Sequence, residues 1–370
     1  MIGDINSIFE EEDLKKRQQK LLVNINKSFS NKEYAKFLKI ARRLSSYYSL
    51  ISIDPLIFHG VHSRNTKLEF RNSYRFIFDR IKNKPAYFLC SWGVSTEEPR
   101  HADFVREIEE DLLTEYPKFK FIHLGNTLRQ VETFRKYELN AIFCNQNCFL
   151  DERIFKPLPD VERKYDAVYD ARIIEIKRHF LAAEIKNLAL IYAETDPSEY
   201  DADYIIKTKG SLINAHYFNH SPIGEYRNLS VRDINRGLNE SRVGLCLSPV
   251  EGAMYASAQY LLSGLPVVST PSLGGRDVFF DDRYVAIVEA DPKAVKRGVE
   301  DLISRNVSPD FIRQNTLEKI KSHRQRFIRL VQDIYDREGA NRDFQAEWDK
   351  IFFNKLLRPQ SHIETIKKII

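Results

Sequence analysis

The stretch from Ser248 to Asp277, SPVEGAMYASAQYLLSGLPVVSTPSLGGRD, narrows what this chain can fold into more than any other. Just before it, Val243 to Leu247 is a short apolar run of the kind a parallel sheet buries on both faces. Pro249 ends that strand, and Gly252 lets the backbone turn sharply into a helix. The first N–H groups of such a helix have no intrahelical partner, so its start attracts phosphate or sugar oxygens. Met254 to Leu262 carries the apolar stripe that docks helix on sheet, and Gly264 stands where a C-cap belongs. Val267 and Val268 open the next strand, and Gly274-Gly275 makes a loop whose backbone a ligand can approach closely.

The same alternation runs through the rest of the chain. Residues 8–48 have a helical pattern, and Ser49 to Phe58 reads as a strand ending at His59-Gly60. Strands are expected at Ala86 to Cys90, Phe119 to Leu124 and Ala141 to Cys144, with helices at His101 to Tyr116 and Thr127 to Tyr137. Pro157 and Pro159, among charged residues, suit an interdomain linker, and Tyr165 to Tyr169 opens a second alternating series. A chain of 370 residues, 43% hydrophobic and 29% charged, has material for two globular cores. The net charge of +5 is spread over mixed-sign stretches without an RNA- or DNA-binding motif, so no nucleic-acid partner is expected. No apolar run is long enough for a bilayer and the acidic opening is not a signal peptide, which points to the cytoplasm. Cys90, Cys144, Cys148 and Cys246 read as buried thiols, and no metal site is expected.

The pattern around Glu251 resembles the donor-binding region of GT-B fold retaining glycosyltransferases of the "glycosyl transferases group 1" (family 4-like) type. Ser248, Pro249, Glu251, Gly252, Gly264, Pro266, Val267, Val268, Gly274 and Gly275 fit that family's pattern in register. Where the family has a second Glu that accepts ribose hydroxyls, this chain has Gln259, which keeps an acceptor and adds a donor but loses the charge. Asn147, Asp151, Phe155 and Pro157 match the family's domain-crossing segment, with Cys148 in place of its Gly. The resemblance implies two Rossmann-like α/β domains facing across a cleft: 1–158 on the acceptor side, 159–335 binding the nucleotide sugar, and 336–370 crossing back. Phe344 to Leu357 is the candidate crossing helix, and the basic amphipathic end HIETIKKII is expected to pack on the first domain, with a membrane foot as the alternative.

The family also places an Arg and a Lys after the first strand of the second domain, and here they are Arg172 and Lys177, with Ala171 and Arg178 replacing the usual glycines. Two fixed cations aimed at a departing diphosphate stabilise the transition state more than the ground state. The resemblance therefore implies a hexosyltransferase acting with retention and without metal or cofactor. Its catalytic residues would be Glu251, Arg172 and Lys177, and its donor contacts Ser248, Gly252, Ala253, Met254, Tyr255, Gln259, Gly274 and Gly275. His59 and His62 are candidates for the first-domain side of the cleft, and Arg276 reads as a solvated loop charge. The acceptor would be a carbohydrate, a lipid-linked or other small molecule, with polysaccharide synthesis and contact at the inner membrane face as the implied setting. DADY at Asp201 to Tyr204 reads as an exposed turn rather than a metal site. An epimerase or phosphorylase of the same fold, and a binding or scaffold protein without turnover, remain open at this stage.

Overall fold

The computed structural model describes residues 48–62, 78–193, 201–221, 223–353, 356–357 and 368–369. The helical reading of 8–48 lies outside them except for Tyr48, which begins a strand instead, and most of 362–370 lies outside them too. The first sheet has the order β1 (Tyr48–Ser52), β2 (Ile57–His62), β3 (Ala86–Trp92), β4 (Phe119–Gly125), β5 (Ala141–Phe143). It is parallel from β2 to β5, with β1 antiparallel on its edge. The single strand expected over Ser49 to Phe58 is thus two. Asp54-Pro55 makes the turn between them, since proline has no N–H to continue a ladder. Helices α1 (Pro99–Glu115) and α2 (Leu128–Lys136) follow β3 and β4, and Thr127 caps α2 by accepting from Gln130 N.

The second sheet is six-stranded and parallel, ordered β11 (Val285–Ile287), β10 (Val267–Ser269), β9 (Ser241–Cys246), β6 (Tyr165–Asp170), β7 (Leu188–Ile191), β8 (His216–Tyr217). Its helices are α3 (Ala202–Ser211), α4 (Val231–Asn239), α5 (Tyr255–Leu262) and α6 (Pro292–Arg305). Both faces are covered, which is why β6 and β9 read as apolar runs. Ala167, Tyr169, Val243 and Leu245 fill one core, while Val168 and Cys246 face the core under α5. Helix α5 ends in a Schellman motif, with Leu265 N donating to Tyr260 O and Gly264 N to Leu261 O. Gly264 takes the left-handed conformation this requires, φ +76°. Asp201 caps α3 by accepting from Tyr204 N (2.9 Å), so DADY opens a helix rather than forming a turn.

The two halves are joined by α7 (Pro309–Arg337). Its first turns place Ile312, Leu317 and Ile320 in the second-domain core, and its last place Phe327, Ile328, Val331 and Ile334 against Leu89, Ile122 and Leu124 of the first sheet. The crossing therefore begins inside α7, before residue 336, and α8 (Phe344–Ile351) continues it with Phe344 and Trp348. Arg313 donates to Phe155 O, Leu262 O and Glu152 O, and Arg324 pairs with Glu152, so α7 also fixes the linker. At the chain's end Ile369 is buried in the first-domain core, and Lys84 Nζ donates to its carbonyl (2.7 Å). Among the described residues no helix is long and apolar enough to cross a membrane.

Candidate functional site

Strands β6 and β9 are neighbours, so the loops leaving their C-terminal ends lie side by side, the place where open α/β sheets bind ligands. The first loop carries Lys177 and the second Ser248 and Glu251. Lys177 Nζ and Ser248 Oγ both donate to Glu251 Oε1. The Lys177 and Glu251 side chains are only 13% and 11% exposed, which makes this a largely desolvated ion pair held by a third group. Tyr169 OH donates to Lys177 O (2.5 Å) and fixes the lysine's backbone. Arg172 lies on the same loop, exposed, just past β6. Arg178, in the position of the family's glycine, sits in the left-handed region at φ 49°. Its guanidinium bonds to Leu247 O (2.6 Å) and Thr270 Oγ1 (2.7 Å) hold a conformation that glycine would take without strain.

The Glu251 turn is tied to the Gly-Gly loop. Glu251 N donates to Leu273 O, Leu273 N to Pro249 O, and Gly275 N to Gly252 O (2.6 Å). Gly274 has φ +103°, and a Cβ there would stand 1.7 Å from Glu251 O, so no other residue fits. Met254, at φ 49°, precedes α5 without a side-chain cap. Ala253 is buried, and burial pushes the Tyr255 phenol above its ordinary range. Gln259 is 1% exposed, and among the described residues neither its oxygen nor its nitrogen has a hydrogen-bond partner. A buried amide with both functions unused is costly and is the kind of group a polar ligand satisfies.

Arg276 differs from its reading as a solvated charge. It is fully buried, and its five N–H groups reach five acceptors: Asp277 Oδ1, Cys246 O, Ser248 O, Ser269 Oγ and Thr270 O. It thereby locks the ends of β9 and β10 beneath Glu251. The neighbouring Asp277 is the only hint the sequence offered.

The first domain meets these loops directly. A Cβ on Gly252 would lie 2.6 Å from the Gly93 carbonyl, and one on Gly275 would lie 2.5 Å from Asn126 Cβ. Across the same boundary Asn145 Nδ2 donates to Gly275 O (2.8 Å) and Asn147 Nδ2 to Ala253 O (2.8 Å). Sequence reading passed over Asn145 as a site residue, and its signal was a run of amides at a strand's C-terminal end. The two histidine candidates part company. His62 ends β2, its ring 5.3 Å from Trp92, and its carbonyl accepts from Gly93 N (2.7 Å) beside Gly252. His59 instead lies in the aromatic core with Phe149 and Phe327, bonded to Ser91 Oγ (2.9 Å), and burial lowers its pKa to about 3. Among the described residues no group of three His, Cys, Asp or Glu is placed to hold a metal ion.

No family model matches the sequence, and no curated protein does. Solved structures do. Sucrose-phosphate synthase from Thermosynechococcus elongatus superposes at a TM-score of 0.53 and 11% identity, over 76% of this chain and 74% of that one. HepE from Anabaena, solved in complex with UDP, gives 0.51 at 11% identity, over 74% of this chain and 78% of that. TarM gives 0.50 at 14% identity over 74% of this chain, which spans about half, 54%, of TarM's length. At such identities the likeness speaks to architecture, and it agrees with two parallel sheets facing each other and a helix crossing between them: the chain has the GT-B fold.

Proposed function

We propose that the protein is a glycosyltransferase that moves a hexosyl group from a nucleotide sugar to an acceptor hydroxyl. The observation that carries this reading is the convergence of Lys177, Ser248 and Glu251 at adjacent strand ends that face the other domain. In the resting protein Glu251 and Lys177 neutralise each other. A bound donor redistributes them: its diphosphate takes the lysine and its sugar hydroxyls take the carboxylate. Lys177 and Arg172 then stabilise the charge that collects on the departing oxygen, a contribution of about 2–4 kcal/mol per well-aimed contact. The first N–H groups of α5 and the backbone N–H of Gly274 receive the remaining phosphate oxygens, while Gly275, its N–H held on Gly252 O, shapes the loop around them. Gln259 supplies the buried donor and acceptor for the ribose. The acceptor oxygen forms its bond to the anomeric carbon as the carbon–oxygen bond to phosphate breaks, and the departing phosphate receives the acceptor's proton on the same face. The configuration is retained, and the two cations serve where other transferases use a metal.

UDP, the nucleotide bound to HepE, is the first donor base to try. The acceptor would be a carbohydrate or a lipid-linked small molecule, on the cytoplasmic side. The test is a thermal-shift panel of UDP, GDP, ADP, CMP and their sugar conjugates on the wild type and on Lys177→Ala. A stabilising nucleotide whose effect disappears in the variant supports the reading. No shift with any of them favours the second reading, a scaffold without turnover, which the exchange of the family's charged Glu for Gln259 motivates.

A further inference from the structure

The linker opens with three consecutive buried amides, Asn145, Gln146 and Asn147, separated from the end of β5 by Cys144 alone. Asn145 uses every polar atom it has. Its N–H donates to His323 Nδ1 on α7 (3.1 Å), and its Nδ2 donates to Asn126 O (3.1 Å) and to Gly275 O (2.8 Å). Its Oδ1 accepts from Asn147 N (2.9 Å) and its carbonyl from Cys148 N (3.1 Å). A backbone N–H can only donate, so His323 carries its ring proton on Nε2. Asn147 Nδ2 in turn donates to Ala253 O (2.8 Å) and lies 3.5 Å from Met254 O.

The two acceptor carbonyls belong to the two loops that flank Glu251, one before α5 and one in the Gly-Gly segment. Those loops are themselves joined by Gly275 N donating to Gly252 O. A planar trans peptide points its N–H opposite to its carbonyl. Fixing Ala253 O on the Asn147 side therefore aims the Met254 N–H the other way, and fixing Gly275 O does the same for the Arg276 N–H. Every one of these side-chain donors comes from the segment attached to the first domain, while the loops belong to the second.

We infer that Asn145 and Asn147 are positioning residues, an interdomain amide clamp that orders the donor-side loops when the two domains meet. The inference rests on the glycosyltransferase reading for the identity of the ligand, but not for the clamp. Closure makes both bonds and opening breaks both, so loop order and domain approach are one event. The clamp is built from neutral amides, so it adds no charge to a site whose cations are reserved for an anionic ligand.

The experiment has two arms. Hydrogen exchange is followed on the unliganded full-length protein and on Asn145→Ala, Asn147→Ala and Asn147→Asp. The last keeps the side-chain shape and removes the donor, and it carries the test if an alanine variant fails to fold. Amides in 252–257 and 274–279 should exchange about five- to tenfold faster in the variants, the factor of one hydrogen bond, while β2 to β4 keep wild-type protection. Unchanged exchange in both segments overturns the clamp. In the second arm the nucleoside diphosphate that stabilises the wild type, with UDP tried first, should bind Asn147→Ala about five- to tenfold more weakly. In turnover with its sugar conjugate KM should rise by that factor and kcat by less than about twofold change either way. Faster exchange with unchanged nucleotide affinity assigns the amides to packing alone and overturns the positioning role. A wild type that binds no nucleotide removes the glycosyltransferase reading, and the exchange arm then decides the clamp by itself.

Discussion

Replacing Arg276 with methionine should cost the second domain about 3 kcal/mol. The guanidinium has no exposed surface, and each of its five N–H groups has an acceptor between 2.6 and 3.1 Å. Methionine keeps an unbranched stem of similar length, so little cavity opens and the loss is polar. Not all acceptors suffer equally. Cys246 O retains Thr270 N (3.1 Å), Thr270 O retains Ser269 Oγ (3.2 Å), and the Asp277 side chain is 31% exposed and can turn to water. Ser248 O is left worst placed, in a residue with no exposure. One stranded carbonyl at about 1–3 kcal/mol, plus weakened bonds at the other sites, gives the figure above. Relief from desolvating the cation holds it at the lower end of what breaking buried charged sites costs. For a domain of this size that is a fall in Tm of about 6–12 °C. Arg276→Lys, whose three donors radiate from one point and cannot span the fork, should lose about half as much. The measurement is calorimetric or near-ultraviolet thermal unfolding. A methionine variant melting within 2 °C of the wild type, with the tolerance taken as about the cost of a neutral surface change, would refute the reasoning.

Three further outcomes follow from the same geometry. Gly274→Ala places a methyl carbon 1.7 Å from Glu251 O at φ +103°, so the loop must rebuild; nucleotide binding should vanish and Tm fall, both read in one melt with and without ligand. Glu251→Gln removes the charge that holds Lys177 and the carboxylate assigned to the donor sugar, and transfer should drop at least about a hundredfold with secondary structure unchanged; full activity would undo the assignment. Burial lowers the pKa of His59 to about 3 and of His179 and His323 to about 4, from 6.5. These groups stay neutral when folded and take up protons on unfolding, so stability is full above about pH 6.5 and declines as pH falls toward 4. At pH 5 each costs about 2 kcal/mol, which urea titrations at pH 7 and pH 5 can check; equal stability at both would contradict the burial.

What the sequence disclosed depended on whether a residue's role was local. Strands β6, β9 and β10 and helix α5 of the second domain follow from apolar periodicity and from Gly264 and Pro249, all signals written within a few residues of where they act. Glu251 and Lys177 were legible for a different reason, since their spacing matches a known pattern, although nothing in the sequence said that they would bond each other. Arg276 was misjudged because its acceptors come from two strand ends that are about 30 and 6 residues away along the chain. The turn at Asp54-Pro55 was a local signal, and the apolar residues on both sides of it hid the break. His59 illustrates the opposite failure: a polar residue at a strand's end suggested a cleft, and only the packing of α7 against that strand put it in a core.

The glycines show how one residue type can serve two demands at once. Gly252 was expected to allow a sharp turn into the helix and Gly275 to let a ligand approach the backbone. In the structure the space a Cβ would take is filled by the first domain, by the Gly93 backbone in one case and by Asn126 in the other. The absence of a Cβ at these two positions is therefore what lets the domains come close. A methyl group at either position would push away the opposite domain before it touched any ligand. Because Asn145 bonds the carbonyl of Gly275, and Gly275 N bonds the carbonyl of Gly252, the two contacts are mechanically one. Substitution at either glycine should then act on domain approach and on loop order together, and a ligand held by those loops would be held by both domains even if it touched only the second.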